Sequence, residues 1–269
     1  MIETSKQTDE RLQAKVAGSV KAREETLAPT ECWCLHGAVG SASDWRGLAG
    51  KLAVEGISTR SVDLWRFLEC ESVPMPELGR RLNAEAAGEI PRATRRILIG
   101  YSMGGRLALH ALLEGGPWDA AVIISANPGI RDPGEAAARR ASDTLWATQA
   151  LTLAWQDFIG KWNAQPILGG AMRDSREDSK LIQRRREIAR SFVDWSIGSQ
   201  QSLWDRISEI KIPTLWIAGE NDNKFLPIAE EASSLAGNFQ LAVAPESGHR
   251  VPWENEAWLA EQIAGFGRG

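Results

Sequence analysis

Residues 96–111 read RILIGYSMGGRLALHA, an apolar run followed by a glycine-rich turn and a segment of helical spacing. The run Ile97–Ile99 is short and uninterrupted, as in a strand that is buried on both faces of a parallel sheet. It leads directly into Gly100–Gly104, which is a G-x-S-x-G motif, and the spacing then predicts a helix over Gly104–Leu113. Such a strained strand–turn–helix holds the serine hydroxyl above the sheet. The stretch therefore predicts an α/β sheet with Ser102 as an exposed nucleophile.

Strand-like and helix-like segments alternate on both sides of this stretch, which is typical of a parallel sheet with crossover helices. The predicted strands are Glu31–Leu35, Ile57–Leu64, Arg96–Gly100, Ala120–Ser125, Pro213–Gly219 and Phe239–Val243. The predicted helices of this alternation are Trp45–Val54, Leu78–Ala87, Gly104–Leu113, Ile228–Leu235 and Glu256–Phe266. The fold class predicted from this order is α/β, with a mostly parallel sheet.

The alternation stops for a long stretch in the middle of the chain, where the spacing is helical and no convincing strand occurs. An insertion of that size between two strands typically covers the carboxyl ends of the strands, where ligands bind in open α/β sheets. We therefore expect an α/β core of residues 29–127 and 206–269 and a helical cap of residues 128–205. Residues 1–28 are predicted to be a polar N-terminal extension.

The composition is that of an ordinary soluble protein, with 269 residues, 43% hydrophobic residues and a net charge of -4. The negative charge argues against nucleic-acid binding, and no apolar stretch is long enough to predict a membrane span. The three cysteines are predicted to be reduced thiols of a cytoplasmic protein. No metal-binding or dinucleotide-binding motif occurs, so we expect neither a metal nor a cofactor.

The general base can be chosen among only three histidines. His110 lies on the helix that leads away from Ser102, too far along to reach back. His36 follows the first strand, in a loop that we expect to face the site and to contact substrate. His249 follows the last strand and completes the order Ser…Asp…His of α/β enzymes with this turn. We therefore predict His249 as the base.

The third member of the triad should be a carboxylate that follows a strand and precedes His249. Asp222 meets this requirement, and Glu220 is the competitor two residues earlier. A carboxylate at that place would hold the imidazole in the required tautomer. The backbone N–H groups of Met103 and Ala38 are the predicted oxyanion donors.

These elements together resemble the α/β-hydrolase superfamily over about residues 30–267. Four segments resemble more closely the 2-succinyl-6-hydroxy-2,4-cyclohexadiene-1-carboxylate synthases of menaquinone and phylloquinone biosynthesis. The first is Gly100–Ala108, which contains the nucleophile turn, called the elbow below, and the start of the helix that follows it. The second is Asn127–Ile130 with Arg139 and Ser142–Ala147. The third and fourth are Lys161–Pro166 and Gly219–Phe225. Generic esterases share the first segment but not the other three.

The resemblance implies a lyase reaction on a small polycarboxylate, in which Ser102 activated by His249 removes a proton and pyruvate is eliminated. It implies that Arg106 and Arg139 bind substrate carboxylates, for which the guanidinium fork is suited. Trp162 would close the pocket from the cap. Tyr101, the only tyrosine, either contacts substrate or packs beside the elbow.

Other functions remain open, because the triad alone does not separate them. A serine carboxylesterase or C–C-bond hydrolase would use the same residues to attack a carbonyl carbon. A ligand receptor built on this fold would keep the triad but hardly turn over. The oligomeric state is not indicated by any feature of the sequence.

Two departures from the resembled family affect the substrate site. The family has a later basic cap residue that bears on the substrate, and several residues compete for this position. They are Lys180, Arg184, Arg185, Arg186 and Arg190. The loop after Asp63 reads Leu64-Trp65-Arg66-Phe67, so we expect bulk and a positive charge to reshape the wall of the site there.

Overall fold

The computed structural model describes residues 29–89, 94–169 and 180–267. Six strands in these ranges form one parallel sheet with the order β2-β1-β3-β4-β5-β6. They are β1 Thr30–Leu35, β2 Ile57–Val62, β3 Arg95–Tyr101, β4 Ala120–Ile124, β5 Thr214–Gly219 and β6 Phe239–Ala244. The predicted α/β fold is confirmed. The predicted N-terminal extension, residues 1–28, lies outside the described residues.

Helices connect successive parallel strands, and each predicted helix is present with bounds shifted by a few residues. The helices are α1 Arg46–Val54, α2 Met75–Glu89, α3 Met103–Leu113, α4 Pro133–Thr152, α5 Trp155–Asn163, α6 Arg185–Asp194, α7 Phe225–Ser233, α8 Val251–Glu254 and α9 Glu256–Gly267. The second predicted strand ends two residues early, because Leu64–Leu68 forms a short 3-10 helix. Asp63 caps that turn through a 3.1 Å bond from the Trp65 N–H.

The central strands are buried on both faces, which explains their uninterrupted apolar character. Successive side chains of a strand point to opposite faces, so Ile97 and Ile99 join one apolar layer and Leu98 joins the other. Each of these three side chains is fully buried. Cys32 of β1 is also buried, and burial raises the pKa of its thiol to about 12. The sheet is therefore the rigid support for the loops at its carboxyl edge.

Between β4 and β5 the described chain contains helices α4, α5 and α6 and short 3-10 turns, and no strand. An aromatic cluster ties these helices together. The ring of Trp146 on α4 lies 5.2 Å from Trp162 and 6.4 Å from Phe192 on α6. The division of the chain into core and cap stays a prediction. None of the described helices has the length and apolar character needed to cross a lipid bilayer.

Candidate active site

Ser102 lies in a strained turn between β3 and α3, at the carboxyl edge of the sheet. Its backbone angles, φ 53° and ψ -111°, are uncommon for a residue other than glycine. The turn is held in place by the Ser102 N–H, which donates to the Ile124 carbonyl of β4 at 2.8 Å. Gly104 must lack a side chain, because a Cβ there would lie 2.2 Å from the Leu35 carbonyl oxygen. The sequence-predicted elbow is thus present, with its serine at the start of α3.

Ser102, His249 and Asp222 form one continuous hydrogen-bonded chain. The His249 Nε2 lies 3.1 Å from the Ser102 Oγ, and the His249 Nδ1 lies 2.9 Å from the Asp222 Oδ2. Asp222 and His249 are both buried, which strengthens the interaction between them because water does not compete. In this geometry the imidazole can take the serine proton while the carboxylate stabilises the imidazolium that forms.

The loop after β5 shows why Asp222 and not Glu220 reaches the histidine. The Asp222 Oδ1 accepts the Phe225 N–H at the start of α7 at 3.0 Å, which leaves Oδ2 directed at His249. The Glu220 carboxylate instead accepts the Glu246 N–H at 3.0 Å and so supports the loop that carries the base. The two candidates therefore have different roles in the structure.

The other two histidines do not face Ser102. His36 is fully buried, with its Nδ1 2.9 Å from the Gly37 carbonyl and its Nε2 accepting the Leu64 N–H at 3.2 Å. It has no surface on the cavity, so the predicted direct substrate contact of His36 is corrected: it holds the loop after β1 in place. His110 is buried in α3, as expected for a histidine that is not the base, and burial lowers its pKa to about 4.

The predicted oxyanion donors are both beside the nucleophile. Met103 is the first residue of α3, so its N–H has no partner within the helix. Ala38 lies in the loop after β1, and both residues line the cavity that contains Ser102. The N-terminus of a helix also favours a developing negative charge at this place. The arrangement suits the binding of an oxyanion.

The triad opens into a cavity of about 200 Å³ between the sheet edge and the helices that follow β4. Four cationic side chains line the cavity: Arg106, Arg139, Lys224 and Arg250. Asp44 is the one carboxylate among the described lining residues. The excess of positive charge in a partly enclosed space favours an anionic ligand. Within the described residues no group of three or more His, Cys, Asp or Glu side chains could hold a metal ion.

Arg106 is one of two buried cations of this wall, with 7% of its surface exposed. Its Nη1 donates to the Gln200 Oε1 at 2.9 Å, and its Nη2 donates to the Trp195 carbonyl at 2.8 Å. Both acceptors are neutral, and no carboxylate of the described chain lies within 4.0 Å of the guanidinium. Burial, and secondly the charge of Arg139, lower the pKa of Arg106 to about 9, so it stays protonated at neutral pH.

Arg139, Tyr101 and Trp162 also reach the cavity, as the sequence predicted. The Arg139 Nε is held by the Asp143 Oδ1 at 2.8 Å, which fixes the direction of the fork. Trp162 packs edge-on against Trp146 and closes the cavity from the helical side. Tyr101 both lines the cavity and packs beside the elbow, 5.5 Å from the His249 ring, so its two proposed roles are compatible.

Comparison with known proteins agrees with this geometry, since residues 34–262 match the Alpha/beta hydrolase family. The chain belongs to the alpha/beta hydrolase family. The family places it among enzymes. The chain is also 25% identical over 259 residues to the 2-succinyl-6-hydroxy-2,4-cyclohexadiene-1-carboxylate synthase of Serratia proteamaculans (strain 568), covering 93% of this chain and 98% of that protein.

Solved structures with the same fold include both a MenH and an esterase. The structure of MenH from S. aureus superposes with a TM-score of 0.78 at 23% identity, covering 90% of this chain and 94% of that one. The esterase EaEST from Exiguobacterium antarcticum gives a TM-score of 0.69 at 17% identity, covering 89% and 92%. At these identities the superpositions show the fold alone, and the α/β-hydrolase fold predicted from the sequence is confirmed.

None of the five basic residues considered for the third substrate contact lines the described cavity. Arg184 pairs with Asp63 at 2.7 Å and with Glu69, and so ties the helical segment to the core. Arg185 donates to the carbonyls of Ala150 and Leu153, and Arg190 to those of Leu68 and Glu71. Lys180 and Arg186 are exposed.

The loop after Asp63 does not shape the cavity wall as expected. Trp65 is buried and donates its indole N–H to the Gly40 carbonyl at 2.8 Å, beneath the loop that carries Ala38. Arg66 points away from the cavity and pairs with Glu85 of α2. The bulk of this loop therefore supports the loop after β1 from behind, and its positive charge lies outside the cavity.

Sequence reasoning missed Lys224 and Arg250 as residues of the cavity wall. Each follows a triad member closely in the chain, at positions +2 from Asp222 and +1 from His249. A residue that close to a catalytic side chain on a tight loop commonly faces the same cavity, and this proximity was the available signal. Burial, and secondly the charge of Arg139, lower the pKa of Lys224.

Proposed function

We propose that the chain is a 2-succinyl-6-hydroxy-2,4-cyclohexadiene-1-carboxylate synthase. It would eliminate pyruvate from 2-succinyl-5-enolpyruvyl-6-hydroxy-3-cyclohexene-1-carboxylate. The relative from Serratia proteamaculans carries the name of this synthase and aligns over almost the whole of both chains. The substrate is a small anion with three carboxylates, and the cavity beside Ser102 is lined by four cationic side chains.

The observation that carries the proposal is the environment of Arg106. A buried guanidinium with neutral acceptors and no described carboxylate within ion-pair distance has a large desolvation cost. A substrate carboxylate that binds there would restore the missing counter-charge. Arg139, whose fork is fixed by Asp143, lies close enough to influence the pKa of Arg106. Two neighbouring arginines fit two neighbouring carboxylates, and a neutral ester would leave Arg106 without a counter-charge at ion-pair distance.

In the proposed reaction His249 accepts the hydroxyl proton of Ser102 as the serine oxygen removes the proton from ring carbon 2. That carbon is adjacent to the succinyl ketone, so the electron pair first develops as an enolate. The enolate oxygen would bind to the N–H groups of Met103 and Ala38, which line the cavity beside Ser102. Asp222 stabilises the imidazolium at 2.9 Å.

The electron pair then moves through the ring to expel the leaving group. The C2–C3 and C4–C5 bonds become double, the C3–C4 double bond becomes single, and the C5–O bond breaks. Pyruvate leaves as its enolate, takes up one proton and becomes the ketone. The proton on His249 balances the proton removed from carbon 2, so no oxidant or reductant is needed. The chain supplies a base, an oxyanion site and cationic anchors.

A serine carboxylesterase is the second candidate, and the distance of 3.1 Å between the Ser102 Oγ and the His249 Nε2 favours it equally. With an ester substrate the same serine would attack the carbonyl carbon and form an acyl-enzyme. The difference between the two candidates lies in the ligand, because an ester without carboxylates makes no use of Arg106 or Arg139.

The test is pyruvate release by the purified chain, followed with lactate dehydrogenase and NADH. Ser102→Ala is compared with Ser208→Ala, which changes an exposed serine. The comparison is needed because this substrate also loses pyruvate without an enzyme. We expect rapid release by wild type and by Ser208→Ala, and release at the spontaneous rate with Ser102→Ala. Equal rates for wild type and Ser102→Ala would refute the synthase, and turnover of a neutral p-nitrophenyl ester would then favour the esterase.

A further inference from the structure

The substrate of the proposed synthase has one more carboxylate than the sequence-predicted arginines can bind. One carboxylate ends the succinyl chain on carbon 2, one is on carbon 1, and one belongs to the enolpyruvyl group on carbon 5. The first two are attached to adjacent ring atoms. The third lies across the ring, because carbon 5 is opposite carbon 2 in a six-membered ring. Recognition of the third carboxylate therefore requires a cation that is separate from the first two.

Arg106 and Arg139 are suited to the two neighbouring carboxylates. They lie close enough to each other for the charge of Arg139 to lower the pKa of Arg106. The third cation does not come from the basic residues of the helical segment. Arg184, Arg185 and Arg190 bind the carboxylates and carbonyls described above, and the described cavity wall contains neither Lys180 nor Arg186.

Arg250 is in a different part of the cavity wall. It directly follows His249, is only 4% exposed and lines the cavity. Its positive charge acts on Tyr101, whose ring lies 5.5 Å from that of His249 and 5.3 Å from that of Trp253. The Arg250 Nη2 donates to the Asn163 Oδ1 at the end of α5, at 2.5 Å. The guanidinium of the core is thus held in place by a residue of the helical segment beside Trp162.

Lys224 is the other cation of the wall that sequence reasoning missed, and it fits the role less well. Its side chain is more exposed, and its Nζ lies 5.7 Å from the centre of the Phe225 ring. An ammonium group is a point charge on a flexible stem, whereas a guanidinium held by a neighbour is planar and fixed in direction. The oriented fork of Arg250 is the better match for a planar carboxylate.

We propose that Arg250 is a substrate-specificity residue that binds the enolpyruvyl carboxylate, with Asn163 orienting its guanidinium. This rests on the proposed synthase function. Arg250 holds the leaving group on the side of the ring opposite Arg106 and Arg139. The product keeps the succinyl and ring carboxylates but has lost the enolpyruvyl group. Arg250 therefore distinguishes the three-carboxylate substrate from the two-carboxylate product, which would help the product to leave.

The test compares Arg250→Gln with Arg186→Gln, which removes an exposed arginine outside the cavity. The two readouts are the KM for the substrate and the inhibition constant of 2-succinylbenzoate, an aromatic dicarboxylate that keeps the succinyl and ring carboxylates. We expect Arg250→Gln to raise KM roughly 10- to 100-fold and to change kcat much less. The inhibition constant should stay within about 3-fold of the wild-type value, as it should for Arg186→Gln.

Several outcomes would overturn the assignment while leaving the synthase function intact. One is an unchanged KM in Arg250→Gln. Another is an equal loss of affinity for the substrate and for 2-succinylbenzoate, which indicates a general structural role. A selective rise in KM with Lys224→Gln and not with Arg250→Gln would assign the contact to Lys224. No pyruvate release by wild type would refute the synthase itself, which is a separate result.

Two further variants keep the test decisive if Arg250→Gln folds poorly. Arg250→Lys keeps the charge and loses the fork, so it should fold and show an intermediate KM with the same inhibition constant. Asn163→Ala leaves the arginine in place and removes the Asn163 acceptor, so it should raise KM for the substrate alone by a smaller factor. Wild-type KM values in both variants would contradict the proposal.

Discussion

Arg106→Met should weaken substrate binding strongly and change the stability of the fold little. Measuring both quantities distinguishes an arginine that binds an anion from one that only stabilises the fold. Methionine keeps an unbranched, flexible stem and suits the apolar surroundings, which include Met75 at 3.4 Å from the Arg106 Nη1. The variant loses the charge and the two hydrogen bonds to Gln200 and Trp195. Arg186→Met, at an exposed position, is the matched control.

The change in the free energy of unfolding can be worked out from the surroundings of the guanidinium. The pKa of Arg106 falls from 12.5 to about 9, mainly through burial and secondly through the charge of Arg139, so the folded protein disfavours the charged form by about 5 kcal/mol. Removing the charge relieves that cost. Two buried acceptors then lose their donor, at about 1–3 kcal/mol each. The two contributions largely offset each other, so the free energy of unfolding should lie between about 1 kcal/mol below and about 3 kcal/mol above the wild-type value.

The expected effect on catalysis is much larger. A buried carboxylate that loses its bidentate arginine loses about 3 kcal/mol, so kcat/KM should fall roughly 100-fold or more. Urea unfolding followed by circular dichroism gives the stability, and pyruvate release gives kcat/KM. A loss of more than about 3 kcal/mol of stability together with a small change in kcat/KM would refute the reasoning and make Arg106 a structural residue.

Two other predictions concern the triad and the unused histidine. Asp222→Asn should lower kcat about 10³- to 10⁴-fold, because the amide favours the wrong imidazole tautomer, while the melting temperature should change little since Asn can still accept the Phe225 N–H. Pyruvate release tests this, and activity near the wild-type level, as expected for the exposed control Asp205→Asn, would contradict it. His110 has a pKa near 4 in the folded state against 6.5 in the unfolded state, so its contribution to stability is complete above pH 6.5 and declines as the pH falls towards 4. Below pH 4 the folded state should have lost about 3 kcal/mol of its free energy of unfolding through this histidine. Urea titrations at several pH values should show this loss in wild type and not in His110→Gln. The same dependence on pH in both proteins would refute the prediction.

The elements that could be predicted from the sequence are those with strong local signals. The strand–turn–helix around Ser102 combines an apolar run, closely spaced glycines and helical spacing, and it is present with the expected turn. With only three histidines, chain order was enough to select His249. Arg106 follows Ser102 by one helical turn, so its presence at the cavity is a matter of helix geometry.

The predictions that differ from the structure concern side chains that could point in more than one direction. His36 was expected at the cavity, but its ring is turned under the loop by bonds to Gly37 and Leu64. One of the five basic residues of the 180–190 segment was expected to contact substrate, but none of them lines the described cavity, and Arg184 and Arg190 bind the core instead. The sequence pattern predicts where each strand and helix begins and ends, but it does not show which acceptor a long side chain binds.

The local pattern of residues therefore accounts for the order of strands and helices and for the strained turn at Ser102, because each depends on neighbours in the chain. The prediction of His249 as the base rested on chain order and on there being only three histidines. The choice of Asp222 over Glu220, the burial of Arg106 and the place of Arg250 in the cavity wall depend on contacts between segments far apart in sequence. His249 meets Ser102 across 147 positions, and Arg250 meets Asn163 across 87. Such contacts are set by how the loops pack at the sheet edge, where burial and hydrogen bonding select one of several possible partners.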